Sequence, residues 1–320
     1  MVSSSQGQGV AAVLSDLKGK DYLSSADFSS DQTSALLDLA NQLKRNERRI
    51  DLGNRVLGLI FTKASTRTRV SFQVAIARLG GQTLDLNPQV SQLGRGEPLE
   101  DTARVMSRFC DALAIRTYAQ QELVDYSFWA SIPVINALTD LEHPCQALAD
   151  FLTLQESFGD LQGQTLTYIG DGNNVANSLM ICGALLGVNI KVASPKGFEP
   201  LPEVINKARS LAIKGAKIEI TNDPFGAAIG AQGLYTDVWA SMGQEDEEIS
   251  RKMAFKDFCL NQTFLDLADP NAIVLHCLPA HRGEEISEEL IESSSSRIFD
   301  QAENRLHVQQ ALLASLLGGL

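Results

Sequence analysis

Residues 56–81 read VLGLIFTKASTRTRVSFQVAIARLGG. The first six are apolar, and a run of that length is typical of a strand buried within a sheet. Phe72, Ile76 and Leu79 then recur at helical spacing, and a pair of glycines ends the pattern. The stretch therefore predicts a strand, a turn and a helix, which is the repeating unit of an α/β fold with a parallel sheet.

The same alternation extends along the chain in both directions. The first series contains helices at 31–45 and 100–109 and strands at 83–86 and 112–117, and a long helix follows at 142–159. The second series contains helices around 178–187 and from 202. Its strands are predicted at 166–170, 189–194, 217–221, 233–240 and 272–279. We predict an α/β fold of two similar-sized domains, each a parallel sheet flanked by helices, joined by bridging helices.

The domain limits follow from the long helix and from the end of the chain. Residues 1–145 are predicted to form the first domain and residues 146–302 the second, because the helix at 142–159 is long enough to bridge out of the first. The last segment, 303–320, reads as an amphipathic helix that packs back on the first domain. The first ten residues, MVSSSQGQGV, lack the pattern of a signal peptide and are interpreted as a frayed tail.

Composition limits the kinds of partner. The chain has 320 residues, 44% hydrophobic and 21% charged, so it can bury a large core. Its formal net charge is −12 and its basic residues form no block, which argues against a nucleic acid or an anionic membrane as partner. No segment reaches the roughly 18 apolar residues of a membrane span. Five cysteines without metal-ligand spacing indicate reduced thiols in a cytoplasmic protein, with neither a disulfide framework nor a zinc site.

The pentapeptide Ser65-Thr66-Arg67-Thr68-Arg69 lies where the first strand is predicted to end and the helix to begin. Backbone N–H groups at a helix start, hydroxyl groups and a guanidinium together form a suitable cradle for a phosphate group. A hydroxyl-rich helix cap with solvated arginines is the alternative interpretation.

The segment FTKASTRTRVSFQVA (61–75) resembles the carbamoyl-phosphate signature of the aspartate and ornithine carbamoyltransferases. Further blocks follow in the order of that family, from about residue 30 to the C-terminus: SQLGRGEPLEDTARV (91–105), IRTY (115–118), HPCQALAD (143–150), GDGNN (170–174), DVWASMG (237–243), HCLPAHRG (276–283) and DQAENR (300–305). DVWASMG and HCLPA resemble the ornithine-specific members, so the resemblance implies ornithine as the acceptor. Two segments depart from the family pattern, the serine-rich turn at 293–296 and the acidic segment at 244–252.

For two residues of the implied phosphate-binding domain, the local sequence suggests a role independently of the resemblance. Arg116 ends an apolar strand, and the carboxyl end of a parallel strand faces the ligand crevice; a buried ion pair is the alternative. His143 precedes a proline at a helix start, where a neutral imidazole can donate to a carbonyl group; a structural histidine is the alternative. By resemblance, Gln92 comes from a neighbouring subunit, which implies a homotrimer or a multiple of trimers. The residues implied to bind carbamoyl phosphate are Ser65, Thr66, Arg67, Thr68, Gln92, Arg116, His143, Pro144, Cys145, Gln146, Cys277, Leu278 and Arg305.

The segment GDGNN (170–174) follows a predicted strand and invites comparison with the dinucleotide-binding fingerprint. The third glycine of that fingerprint is replaced by Val175, and no acidic residue stands at the strand end about 20 positions on. A dehydrogenase is therefore disfavoured. The same turn suits a carboxylate, and the resemblance implies that Asn174 binds the α-carboxylate of ornithine.

Asp237 ends a predicted strand, where a carboxylate can pair with the α-ammonium group of an amino acid. The resemblance adds Ser241 and Met242 to the ornithine-binding residues; a capping aspartate with a core methionine is the alternative. Cys277 lies beside His276 on a strand, so the two side chains point in opposite directions and His276 is badly placed to deprotonate the thiol. The resemblance places Cys277 beside the δ-amino group of ornithine rather than as a covalent nucleophile.

The resemblance implies transfer of the carbamoyl group of carbamoyl phosphate to ornithine, which gives citrulline and phosphate in arginine metabolism. Its implied catalytic residues are Arg116, His143, Cys277 and Arg305. Carbamoyl phosphate already carries a good leaving group, so no metal, cofactor or covalent adduct is expected. A carbamoyltransferase for N-acylornithine, putrescine or aspartate, and an α/β module that binds a small phosphate ester without turnover, are the alternatives.

Overall fold

The computed structural model describes residues 3–87, 96–240 and 248–320. The chain forms two compact units, Met1–Ala149 with Asn304–Leu320, and Asp150–Glu303. It passes from one unit to the other within the helices Pro144–Phe158 and Ile298–Leu316. The predicted boundary after residue 145 lies in the first of these helices, where a continuous helix leaves no sharp division.

The first unit is built on a four-stranded sheet. Its strands are β1 Val56–Phe61, β2 Gln82–Leu86, β3 Ala112–Arg116 and β4 Val134–Leu138, in the order β2-β1-β3-β4 with every pairing parallel. Its helices are α1 Ser3–Ser15, α2 Ser30–Lys44, α3 Arg67–Arg78, α4 Leu99–Phe109, α5 Gln120–Trp129 and the first turns of α6 Pro144–Phe158. The sequence reading missed α5 and β4.

The second unit contains a five-stranded parallel sheet, in the order β7-β6-β5-β8-β9. Its strands are β5 Thr165–Ile169, β6 Asn189–Ala193, β7 Ile218–Thr221, β8 Gly233–Thr236 and β9 Ile273–His276. Its helices are α7 Asn174–Leu186, α8 Pro202–Leu211, α9 Pro224–Ala228, α10 Glu248–Ala254, α11 Gln262–Leu267, α12 Glu288–Ile291 and the start of α13 Ile298–Leu316. The predicted fold class, two α/β domains with parallel sheets, is confirmed.

Each sheet has one point at which the strand order reverses. In the first unit, β2 pairs with one edge of β1 and β3 pairs with the other edge, so the order reverses between β1 and β3. In the second unit, β6 and β8 pair with opposite edges of β5, so the order reverses between β5 and β8. Ligands of open parallel sheets bind outside the carboxyl ends of such strand pairs. Thr62 follows β1, and its N–H donates to the Arg116 carbonyl at the end of β3 over 2.9 Å. The Thr236 hydroxyl donates to the carbonyl of Ile169 over 2.7 Å and joins the ends of β8 and β5.

The N-terminal segment corrects one expectation. Residues 3–15 form a helix rather than a frayed tail. Leu14 and Leu17 are fully buried, and α1 packs against α2. The apolar end of the segment thus holds it in place, which the polar start of the sequence did not suggest.

Helix α13 corrects another. It was expected to be amphipathic, yet from Asn304 onward all of its side chains except the half-buried Leu306 are buried, the polar ones included. Gln301 donates to Asp150 over 2.6 Å and Arg305 donates to the hydroxyl of Thr68. Gln301 and Arg305 are polar residues that a hydrophobic period assigns to the surface, and here they are buried with hydrogen-bond partners.

Two strand ends also differ from the prediction. β8 ends at Thr236 and β9 at His276, so Asp237 and Cys277 lie just beyond their strands. The serine-rich turn continues the edge of the sheet, because the Val274 N–H donates to the Ser295 carbonyl over 2.9 Å. None of the helices in the described part of the chain is long and apolar enough to span a membrane.

Candidate active site

The start of α3 has the properties of an anion site. Thr66 is the N-cap residue, and no side chain makes a capping hydrogen bond there. The first N–H groups of a helix carry no intrahelical bond and a partial positive charge, so an uncapped start favours an anion. Ser65 and Arg67 are half-buried and Thr68 is buried, so the polar groups lie at the mouth of the crevice after β1.

The two arginines of the pentapeptide have different surroundings. Arg69 forms an ion pair with Asp85 of β2, and its guanidinium lies 4.9 Å from the centre of the Phe61 ring. The Nε atom of Arg67 is buried and has no hydrogen-bond partner among the described residues. Arg67 is therefore the guanidinium that an incoming phosphate can engage, while Arg69 serves the packing between α3 and β2.

A cluster of buried basic side chains lies beside the same crevice. Arg116 at the end of β3, His143 before α6 and Arg305 on α13 are 8%, 5% and 3% exposed. Burial, and then the positive charges of Arg305 and Arg116, hold the pKa of His143 well below its usual value. His143 is therefore neutral near pH 7. The cluster offers two guanidinium groups and one neutral imidazole to an oxygen that gains negative charge.

The residues after His143 support it from α6. The N–H of Gln146 donates to the His143 carbonyl over 3.0 Å. The thiol of Cys145 donates to the Asn136 carbonyl of β4 over 3.4 Å, and burial raises its pKa to about 12. Cys145 is thus a protonated thiol engaged with the sheet, so a contact from Cys145 to a phosphate would have to come from its backbone.

In the second unit, Asp237 is at the centre of a polar cluster after β8. Its Oδ1 atom accepts from the Val238 N–H over 2.8 Å and from the Cys277 thiol over 2.9 Å. Its Oδ2 atom accepts from the amide Nδ2 of Asn173 over 2.9 Å. Asp237 is 6% exposed, so its carboxylate is a buried acceptor group at the switch point of the second sheet.

Asn173 explains how the cluster forms. Its side-chain oxygen accepts from the N–H groups of Val175 and Ala176 over 2.9 and 3.2 Å and caps α7. Its amide nitrogen is then directed at Asp237. Burial, followed by the negative charge of Asp237, raises the pKa of the nearby Tyr168 hydroxyl, so that group stays protonated.

A ring nitrogen of His276 lies within 4.8 Å of the Cys277 sulfur, but the ring is engaged by other partners. Its Nδ1 atom accepts from the Leu278 N–H over 2.9 Å, so the ring proton is on Nε2, 3.1 Å from a carboxylate oxygen of Glu285. Both ring nitrogens are engaged, and the thiol donates to Asp237 instead. The arrangement offers no Cys–His nucleophile pair.

Comparison with protein-family models identifies the family to which both domains belong. The model of the aspartate/ornithine carbamoyltransferase carbamoyl-P binding domain matches residues 20–156, and that of the Asp/Orn binding domain matches residues 162–316. The chain belongs to the aspartate/ornithine carbamoyltransferase family. The resemblance found in the sequence is thereby confirmed.

Individual members of the family are similar over nearly the full chain. Ornithine carbamoyltransferase of Prochlorococcus marinus (strain MIT 9313) is 74% identical over 98% of this chain and 98% of its own. The crystal structure of ornithine carbamoyltransferase from Gloeobacter violaceus is 53% identical, with a TM-score of 0.86 over 94% of this chain and 99% of its own. The ornithine carbamoyltransferase of Pyrococcus furiosus is 46% identical, with a TM-score of 0.91 over 95% and 99%.

The roles that the family resemblance implied for several residues stay predictions. Gln92, Ser241 and Met242 lie outside the described residues. Asn174 is the half-buried first residue of α7, directly after the capping Asn173.

Sequence reasoning missed residues that shape the second unit's part of this carbamoyltransferase fold. Asn173 could have been found, because asparagine before a helix is a preferred N-cap. Arg251 is buried and bonded to Asp171, and nothing in its local sequence indicates this, since it follows an acidic stretch that reads as surface.

Proposed function

We propose that the chain transfers the carbamoyl group of carbamoyl phosphate to the δ-amino group of L-ornithine and forms L-citrulline and phosphate. The observation that carries the choice of acceptor is the buried carboxylate of Asp237 beside the thiol of Cys277, at 2.9 Å. It stands at the switch point of the second sheet, where an amino-acid ligand is expected. Membership of the family and the similarity to ornithine carbamoyltransferases support the same activity.

The first unit supplies the chemistry for the electrophile. Arg67 and the N–H groups at the start of α3 hold the phosphate and stabilise the charge it gains on departure. Arg116, Arg305 and Thr68 stabilise the carbonyl oxygen as it becomes an oxyanion. The neutral imidazole of His143 donates a hydrogen bond to that oxygen, and its low pKa keeps a third positive charge out of the cluster.

The second unit supplies recognition of the acceptor. Asp237 pairs with the α-ammonium group of ornithine, to which Ser241 adds a contact, and Asn174 with the Met242 N–H binds the α-carboxylate. Cys277 lies beside the δ-amino group. A free alkylamine has a pKa near ~10.4, so the δ-amino group must lose a proton before it attacks. Activity should therefore rise with pH through the neutral range, with His143 already neutral.

A panel of acceptors tests this function against its alternatives. We expect citrulline from ornithine and carbamoyl phosphate, with much lower turnover of N-acetylornithine, putrescine and aspartate. N-acetylornithine lacks the α-ammonium group and putrescine both α groups, so neither can use Asp237. Phosphate release with each amine at equal concentration is the measurement. If another amine is turned over faster than ornithine, that amine is the acceptor instead. No turnover with any amine would favour an α/β module that binds a small phosphate ester without turnover.

The enzyme is proposed to be a homotrimer, or a multiple of trimers. It is proposed to act in the cytoplasm, in arginine biosynthesis.

Subunit mixing tests whether neighbouring subunits share a site. Arg67→Ala and Gln92→Ala chains are each expected to be poorly active. Random reassembly of equal amounts should restore about one quarter of the sites, because one interface in four joins an intact Arg67 to an intact Gln92. No recovery in verified mixed oligomers would contradict a site completed by a neighbour.

A further inference from the structure

We propose that Arg251 is a positioning residue for the amino-acid acceptor. It joins the two chain segments on which the ornithine-binding residues lie. The inference rests on the function proposed above and concerns the second unit alone.

Arg251 is buried, although its neighbours in the sequence are acidic and polar. It lies on α10 and is 6% exposed. Its Nη1 atom donates to Asp171 Oδ2 over 2.9 Å and to the carbonyl oxygen of Trp239 over 2.9 Å. The side chains of the ion pair are 8% and 11% exposed, so bulk water screens the pair weakly.

The guanidinium of Arg251 also packs against an aromatic ring. It lies 5.1 Å from the centre of the Phe198 ring, which meets the Phe255 ring at 4.9 Å. The Trp239 ring stacks on Phe255 at 5.8 Å, and Phe255 is fully buried. A planar cation held by two hydrogen bonds and a ring face has little freedom to move.

The two partners of Arg251 stand beside the residues that recognise the acceptor. Asp171 lies in the loop after β5, which leads to Asn173 and to Asn174 at the start of α7. Trp239 lies two residues beyond Asp237 in the loop after β8. One loop is proposed to bind the α-carboxylate and the other the α-ammonium group. Their separation therefore decides whether one amino acid can reach both, and Arg251 fixes that separation.

The test compares Arg251→Met and Arg251→Lys with a control on the same helix. Methionine keeps the length of the side chain but removes the charge and the donors. We expect the KM for ornithine to rise by about tenfold or more, equivalent to about 1.4 kcal/mol or more, with the KM for carbamoyl phosphate unchanged. Arg251→Lys keeps the charge and should recover part of the loss. Lys252→Met removes an exposed ion pair with Glu284 and should change neither KM by more than about threefold.

A second variant separates positioning from stability. Arg251→Met leaves the buried carboxylate of Asp171 without its charged partner and should lower the melting temperature. Arg251→Met with Asp171→Asn removes that buried charge, so the melting temperature should recover while the ornithine KM stays high. Recovery of the ornithine KM in the double variant, or an equal rise of both KM values in Arg251→Met, would overturn the proposal. Wild-type protein that forms no citrulline would instead overturn the proposed function and, with it, the acceptor pocket that Arg251 is said to position.

Discussion

Arg67→Ala should lower kcat/KM for carbamoyl phosphate by at least about a thousandfold, which is about 4 kcal/mol of transition-state stabilisation. The Nε atom of Arg67 is buried without a hydrogen-bond partner among the described residues, at the uncapped start of α3. The charge-assisted bonds proposed between Arg67 and the phosphate should strengthen as that group departs, so kcat should fall as well as affinity. Steady-state kinetics with saturating ornithine measure the effect, and an unchanged melting temperature shows that the fold survives.

Arg69→Ala is the matched control for this variant. It removes the same charge two residues away, but Arg69 is paired with Asp85, and both side chains are partly exposed. Partly exposed ion pairs contribute little, so its kinetics should stay within about tenfold of wild type. Near-wild-type turnover of Arg67→Ala at saturating carbamoyl phosphate would refute the phosphate cradle. Equal losses in the two variants would show that a general change of charge is responsible.

Asp237→Asn should lower the use of ornithine by about thirty- to several-thousand-fold, because loss of a charged partner in a partly desolvated crevice costs about 2–5 kcal/mol. Binding of carbamoyl phosphate, followed by isothermal titration, should be unchanged. Turnover of putrescine should also be almost unchanged, since putrescine has no α-ammonium group to lose. A two-acceptor assay gives the ratio of the two effects.

The contacts of Asp237 define the controls for that variant. An asparagine side chain can still accept from Val238 and Cys277 through its oxygen, but its amide nitrogen then faces the amide nitrogen of Asn173. A melting curve must therefore show that the loop is intact. Asp266→Asn, which alters an exposed carboxylate of the same unit, should leave both acceptors unaffected. If ornithine and putrescine activities fall by the same factor, Asp237 acts in the chemistry or the fold, and the proposed ornithine pocket must be withdrawn.

Local patterns predicted where candidate sites lie when a site is built from consecutive residues. The pentapeptide at 65–69 and the turn at 170–174 follow strands, and the structure places both at the carboxyl ends of strands beside a switch point. Strand β8 was also predicted from the sequence. Its C-terminal end was placed beyond the observed end at Thr236, because Asp237 and Trp239 follow it in an apolar stretch. Helix α5 and strand β4 were missed, although β4 is a fully buried run, Val134–Leu138, in which Asn136 alone is polar.

The two α/β halves, and the position of the polar groups in each, could be predicted from local sequence patterns. Parallel strands buried on both faces appear as short apolar runs, and the loops at their carboxyl ends must carry whatever binds a ligand. Those signals act over a few residues, so they can be read without knowing the fold.

The burial, pairing and protonation of individual side chains depend instead on tertiary contacts. Asp85 of the neighbouring strand engages Arg69, whereas the buried Nε atom of Arg67 has no hydrogen-bond partner among the described residues. His143 is neutral because folding buries it beside two guanidinium groups. Arg251 meets Asp171 from 80 residues away. Burial and the electric field at a side chain depend on residues that the sheet brings together from distant parts of the chain, and no local pattern contains that information.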